Sequence, residues 1–440
     1  MRGKNKYRIN NTELFKTKLL HWAGSFERSC VLESNSSESK EFSKTVPGGF
    51  DYLVAVGAHS EIICGEQSSF DLLKSYYEIK KDWIFGYFSY DLKNGIESMK
   101  SSGLDGIQMP SLHFFQPELV FCIKKNDLTI YFLKDTIAGK SIDDYFEKIN
   151  RFLPEADSSN ALKVKSRVSR EEYLRSVAGL KAHIQKGNIY EVNFCQEFYA
   201  QNVSVSPVHM FEKLNNISRT PFAAYYRMGD RHLLSASPER FMKKMGRTII
   251  SQPIKGTVRR GESDQLDEEL KRSLSTSDKE RSENVMIVDL VRNDLSRSAV
   301  KGSVKVKELY GVYTFSQVHQ MISTVSCELD ENVHFVDAIK EAFPMGSMTG
   351  APKIKAMELI EEFETTKRGL YSGAVGFITP EGDFDFNVVI RSILYNETKK
   401  YLSFIVGGAI TDMAIPEDEY EECMVKAQAM FNVLAGKEQA

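Results

Sequence analysis

Apolar positions along the chain fall into two rhythms. In the first third, "DYLVAVG" (Asp51 to Gly57), "WIFGYFSYDL" (Trp83 to Leu92), "ELVFCI" (Glu118 to Ile123) and "LTIYFL" (Leu128 to Leu133) are short runs rich in aromatic and β-branched residues. Such runs predict strands. The polar stretch "SNSSESKEFSK" (Ser34 to Lys44) predicts a loop. After a short helix-like segment, "PEADSSNALK" (Pro154 to Lys163) has the polar, turn-forming composition of a boundary. It divides an N-terminal segment, 1–153, from a larger unit, 164–437.

A helical rhythm follows. Ser169 and Glu172 fit a capping box, Tyr173, Val177, Leu180 and Ile184 share one helical face, and Gly187 with Asn188 ends the pattern. Strand patterns return at "YEVNFCQEFYA" and "PFAAYYRMG". Near the end, "GAVGFITP", "FDFNVVIRSILY" and "YLSFIVGGAI" are joined by the short turns "PEGD" and "NETKK". Turns that short connect only antiparallel neighbours, so an antiparallel meander is expected rather than a doubly wound parallel sheet.

Composition narrows the class. The chain has 440 residues, 42% hydrophobic and 27% charged, as in ordinary globular proteins. A net charge of -3 with dispersed Lys and Arg speaks against a nucleic-acid surface. The six cysteines (Cys30, Cys64, Cys122, Cys195, Cys327, Cys423) form no CxxC pair and no zinc-ligand spacing, which fits a reducing compartment. The first residues carry no apolar signal run, and no stretch reaches the ~18 apolar residues of a membrane span. A cytoplasmic location is expected.

Candidate chemistry lies in the second half. Glu280 and Glu283 are three apart in one helical pattern, and Glu419 and Glu422 in another that opens at Pro416. Each pair occupies one helix face. If the faces meet, four carboxylates need a cation, and an oxygen-only set suits Mg²⁺. If they do not, these are solvated faces with local ion pairs such as Glu422 with Lys426. "PMGSMTGAPK" is not a nucleotide-binding phosphate loop, because Pro352 separates its glycines from Lys353. Glycines that end the strand at Gly407 and Gly408 allow close backbone approach to a ligand. Arg391, read as part of a strand with apolar Val389 and Ile393 on its face, needs either a bound carboxylate or a structural acid.

In "SQPIKGTVRRG", Lys255 stands between Pro253 and Gly256, two residues that fix and free the backbone around it. Burial and nearby cations lower a lysine pKa and create a reactive amine. Glu239, sixteen residues earlier across a predicted turn, is either its partner in an ordinary ion pair or an acid beside a nucleophile.

The stretches "SASPERF", "PIKGTVRRG", "ENVMIVDLVRNDL", "AFPMGSMTGAPK", "RGLYSGAVGFI", "IRS" and "EYEECMVKA" together resemble the chorismate-utilising enzymes of the anthranilate synthase component I family. The resemblance implies an α+β fold, two large antiparallel sheets packed as a sandwich with helices outside. It implies Mg²⁺ on Glu283 and Glu422, with Glu280 and Glu419 holding the metal's waters. Arg391, Tyr371, the Gly407 backbone and Lys426 match the carboxylate-binding set, Gly256 and Thr257 the ring pocket, and Glu239 the general acid. Lysine at position 255, where other branches have alanine, resembles the branch that makes 4-amino-4-deoxychorismate for para-aminobenzoate and folate. There the amine attacks C2, the C4 hydroxyl leaves, and ammonia displaces the lysine.

Three positions depart from the family pattern. Glu191 stands where isochorismate-forming relatives carry a lysine and ammonia-using relatives usually a glutamine; it would guide or deprotonate ammonium. Gln320 replaces a common histidine, with His319 one place early, which counts against pyruvate elimination. Met413 replaces a frequent serine. None of the cysteines sits in the elbow of a glutaminase nucleophile; the resemblance implies a separate glutaminase subunit that delivers ammonia. "CVLESN" resembles a segment that binds tryptophan in relatives, suggesting such a site near Leu32–Ser34. The rival readings are anthranilate synthesis on the tryptophan branch and a non-catalytic, ligand-binding regulatory subunit.

Overall fold

The computed structural model describes residues 2–35, 49–135, 141–157 and 161–435. The expected Ser34–Lys44 loop lies outside them from Ser36 on, as does part of the Pro154–Lys163 stretch. The architecture is α+β. The described strands form one continuous antiparallel network, folded into two layers that share the long strand Leu112–Lys124.

One layer runs from Leu112–Lys124 through Tyr52–Cys64, Arg28–Glu33, Phe222–Met228, Arg231–Ser237, Ser392–Asn396 and Tyr401–Ile410 to Glu191–Gln201. The other runs through Ile84–Phe88, Ala374–Ile378, Phe384–Asn387, Arg240–Met245 and Thr248–Gln252 to Val318–Glu328, which also pairs with Ile254–Arg259. Strands from both sides of Pro154 are therefore neighbours, as Arg28–Glu33 beside Phe222–Met228 shows.

Both faces of the inner strands are covered. Cys30, Leu32, Leu53, Phe85, Tyr226 and Phe377 fill the core between the layers. Val31, Val54 and Tyr225, from the opposite faces of the same strands, pack under helices that include Arg170–Gln185 and Pro416–Leu434. Ile84, Phe88 and Phe114 face a third cluster with the helix Asp278–Ser296. Strands buried on both faces lose their two-residue alternation, which is why "DYLVAVG" reads as a continuous apolar run.

The capping box forms as expected: Ser169 and Glu172 satisfy each other's backbone N–H at the start of Arg170–Gln185. "WIFGYFSYDL" is strand only over Ile84–Phe88, because the Ser89 hydroxyl accepts the Asp91 N–H and turns the chain into a short 3₁₀ segment. "FDFNVVIRSILY" is not one strand. It divides into Phe384–Asn387 and Ser392–Asn396, which lie in different layers. The expected meander is thus two hairpins, one per layer. Arg391, at φ 51°, stands at the crossing and not on a strand face.

Candidate active site

The site lies where the end of Glu191–Gln201, the strand Ile254–Arg259 and the helices Asp278–Ser296 and Pro416–Leu434 approach one another. Ile254 pairs with Ile322 and Thr257 with Gln320, so Lys255 and Gly256 bulge out opposite a single residue. Bulges re-aim side chains next to active sites. Gly256 has φ 86°, and a Cβ there would come within 2.9 Å of Glu280 Oε2. The Pro–Ile–Lys–Gly order therefore serves to aim Lys255.

Lys255 Nζ lies 2.6 Å from Glu191 Oε1, and both side chains are buried. Glu191 Oε2 is buried with no hydrogen-bond partner. Burial pushes the Lys255 pKa down, but the carboxylates of Glu191, Glu283 and Glu239 outweigh it and the net shift is upward. This corrects the expectation of a lowered lysine: three carboxylates hold its proton. Glu239 is not its ion-pair partner. That carboxyl accepts the Ser347 hydroxyl at 2.6 Å, and burial raises its pKa to about 7, a value suited to a proton donor. Ser347, in the glycine segment "PMGSMTG", was not singled out by sequence reasoning; a hydroxyl among small turn residues was the only signal.

The two carboxylate-bearing helices face each other. Burial raises the Glu283 pKa to about 7 despite Lys255. Burial also raises Glu419, while Lys426 lowers Glu422. Lys279 responds to Glu419, Glu283, Glu422 and Glu280 together, and its Nζ is 3.7 Å from Glu419 Oε1. The local pair of Lys426 with Glu422 also forms, at 2.7 Å. Among the described residues, no three His, Cys, Asp or Glu side chains are close enough to hold a metal ion. Glu419 and Glu422 pair with Lys279 and Lys426 instead. In donor type the four glutamates fit a hard divalent cation: oxygen-only, acidic and partly desolvated.

Arg391 is the other charged wall. Its Nη1 donates to the Lys426 carbonyl at 3.3 Å, and burial lowers its pKa. Among the described residues it forms no direct ion pair, and Glu422 acts on it only at longer range, so no structural acid is bonded to it. Tyr371 is buried, its hydroxyl 3.6 Å from Cys195 Sγ. The Gly407 carbonyl accepts from Lys426 Nζ at 3.1 Å, and a Cβ at Gly407 would strike the Phe194 carbonyl at 2.2 Å. Thr257 lies across from buried Gln320. His319 is committed elsewhere, to Asp267 at 2.9 Å and Thr314 at 3.0 Å.

Leu32, Glu33 and Ser34 line a different cavity, of about 340 Å³, whose other walls include Phe50, Phe222, Phe377 and Lys243. None of the residues assigned above to the chorismate site lines it. No described helix is long and apolar enough to cross a membrane.

Residues 32–432 match the family described as chorismate binding enzyme, and the chain belongs to that family. It is a chorismate-utilising enzyme. It is 31% identical over 369 residues to anthranilate synthase component 1 of Acetivibrio thermocellus, covering 79% of this chain and 74% of that one. It is 32% identical over 368 residues to aminodeoxychorismate synthase component 1 of Bacillus subtilis, covering 79% and 76%. The crystal structure of anthranilate synthase component I from Streptococcus pneumoniae superposes with a TM-score of 0.73 at 26% identity, over 88% of this chain and 93% of that one.

Proposed function

We propose that this chain makes 4-amino-4-deoxychorismate from chorismate and ammonia, through a covalent bond between Lys255 and ring carbon C2. Relatives of both product types are about equally similar, so overall identity does not choose between them. The observation that carries the reading is the buried amine of Lys255, aimed by a bulge into a pocket that also holds a protonatable Glu239.

The residues divide the work by charge. Glu239, with a pKa of about 7, gives its proton to the departing C4 hydroxyl. Arg391, whose one described hydrogen bond goes to a backbone carbonyl, binds a substrate carboxylate together with Tyr371, Lys426 and the Gly407 backbone. Gly256 and Thr257 border the ring. Glu283 and Glu422 would hold Mg²⁺, with Glu280 and Glu419 behind its waters. The metal would supply positive charge for the ring carboxylate. Ammonia would come from a separate glutaminase subunit. The aromatic-walled cavity beside Leu32–Ser34 would take tryptophan.

Incubating the purified chain with chorismate, Mg²⁺ and ammonium chloride tests the reading by liquid chromatography and mass spectrometry. Aminodeoxychorismate, converted to para-aminobenzoate by an added lyase, is the expected product. Anthranilate would place the chain on the tryptophan branch, and unchanged chorismate would favour a non-catalytic binding subunit.

A further inference from the structure

A lysine attacks carbon only after it loses its proton. Here the surroundings oppose that loss. Glu191 faces Lys255 from the strand Glu191–Gln201, Glu239 from the segment before Arg240–Met245, Glu283 from the helix Asp278–Ser296, and Glu419 and Glu422 from the helix Pro416–Leu434. Together the nearest of them keep the lysine charged. Only Glu191 forms an ion pair with it among the described residues, at 2.6 Å. Glu239 already accepts from Ser347. The second oxygen of Glu191 is buried and has no partner, so Lys255 is the one described group bonded to that carboxylate.

We propose that Glu191 takes the Lys255 proton and thereby frees the amine that attacks the ring. This rests on the reading of Lys255 as the nucleophile. Transfer within the pair replaces two charges by a neutral amine and a carboxylic acid, which relieves the desolvation cost of holding both charges away from water. The Nζ lone pair then forms the bond to C2, both conjugated ring double bonds shift (C1=C2 to C6=C1, C5=C6 to C4=C5), and the C4–O bond breaks. The Glu239 proton turns the departing hydroxide into water. Ammonia next bonds to C4, both double bonds shift back, and the C2–N bond breaks to release Lys255 as a neutral amine. Glu191 returns its proton to Lys255, and the new C4 ammonium gives one to Glu239. Every group ends as it began. A glutamine at this position could not take the proton.

The test uses Glu191→Gln and Glu191→Asp, with chorismate binding measured by calorimetry to show that the pocket is intact. The rate of the Lys255 adduct is read by rapid quench and peptide mass spectrometry across pH. General-base catalysis is worth roughly 100-fold or more. E191Q is expected to lose about that factor near neutral pH and to regain rate as pH rises, while E191D keeps part of it. A carboxylate that merely holds the lysine charged predicts the reverse, since its removal would ease deprotonation. An E191Q adduct rate equal to or above wild type near neutral pH overturns the proposal and leaves the lysine reading intact. Absence of any Lys255 adduct in the wild type overturns both.

Discussion

The Ser347 hydroxyl donates to Glu239 Oε1 at 2.6 Å, inside a site whose burial raises that carboxyl to a pKa of about 7. The hydrogen bond favours the charged form and so moderates the rise. A proton donor must be protonated, so kcat/KM falls as pH rises through this value. Ser347→Ala removes the moderation and should move the falling limb to higher pH. An unmoved limb would mean that Glu239 is not the titrating acid.

Arg391 tests the carboxylate wall. Hydrogen bonds to charged groups contribute about 1.5–3 kcal/mol. Arg391→Met should therefore raise the KM for chorismate roughly 10- to 150-fold, with a smaller change in kcat. Arg391→Lys should recover only part, because an ammonium cannot reproduce the planar fork. An unchanged KM in the methionine variant would remove Arg391 from the substrate.

Glu239 and Glu283 both have folded-state pKa values of about 7, above the ordinary 4.5. The folded state then binds more protons than the unfolded one between those values. Their contribution is fully present below the unfolded value and is lost as pH rises through about 7. Thermal unfolding should show Tm falling from about pH 5 to about pH 8 on this account. If the acidic cluster takes Mg²⁺, added metal should raise Tm more at the upper end, where Glu283 is ionised, and Glu283→Gln should shrink that gain. A metal effect independent of pH would contradict the assignment.

Gly256 tests the bulge. Alanine there must adopt φ 86° and bring a Cβ within 2.9 Å of Glu280 Oε2 and Leu274 Cδ1. A left-handed backbone alone costs about 1–2 kcal/mol. G256A should lower Tm and slow adduct formation together; a fully stable G256A would show that the bulge relaxes freely.

Much of this was legible before the structure. The helix from Arg170 announced itself because its cap and its apolar face agree. The glutamate pairs were visible because helical spacing is local, and Lys255 because a proline and a glycine bracket it. Other features depend on distant chain. Arg2–Arg8 is a strand only through pairing with Asp127–Leu133, and its polar sequence carries no strand pattern. The break at Arg391 follows from a change of layer inside an apolar run that looks uniform. The Lys255–Glu191 contact joins residues 64 apart, and no spacing encodes it. The upward shift of Lys255 follows from that contact, so sequence reasoning had the sign reversed.

The most direct test of the account is Lys255→Met, which keeps the unbranched apolar stem of the side chain and removes the amine. It should bind chorismate, as read by calorimetry, yet form no aminodeoxychorismate with Mg²⁺ and ammonium where the wild type does. Amination at the wild-type rate by K255M would contradict the central role given to this lysine.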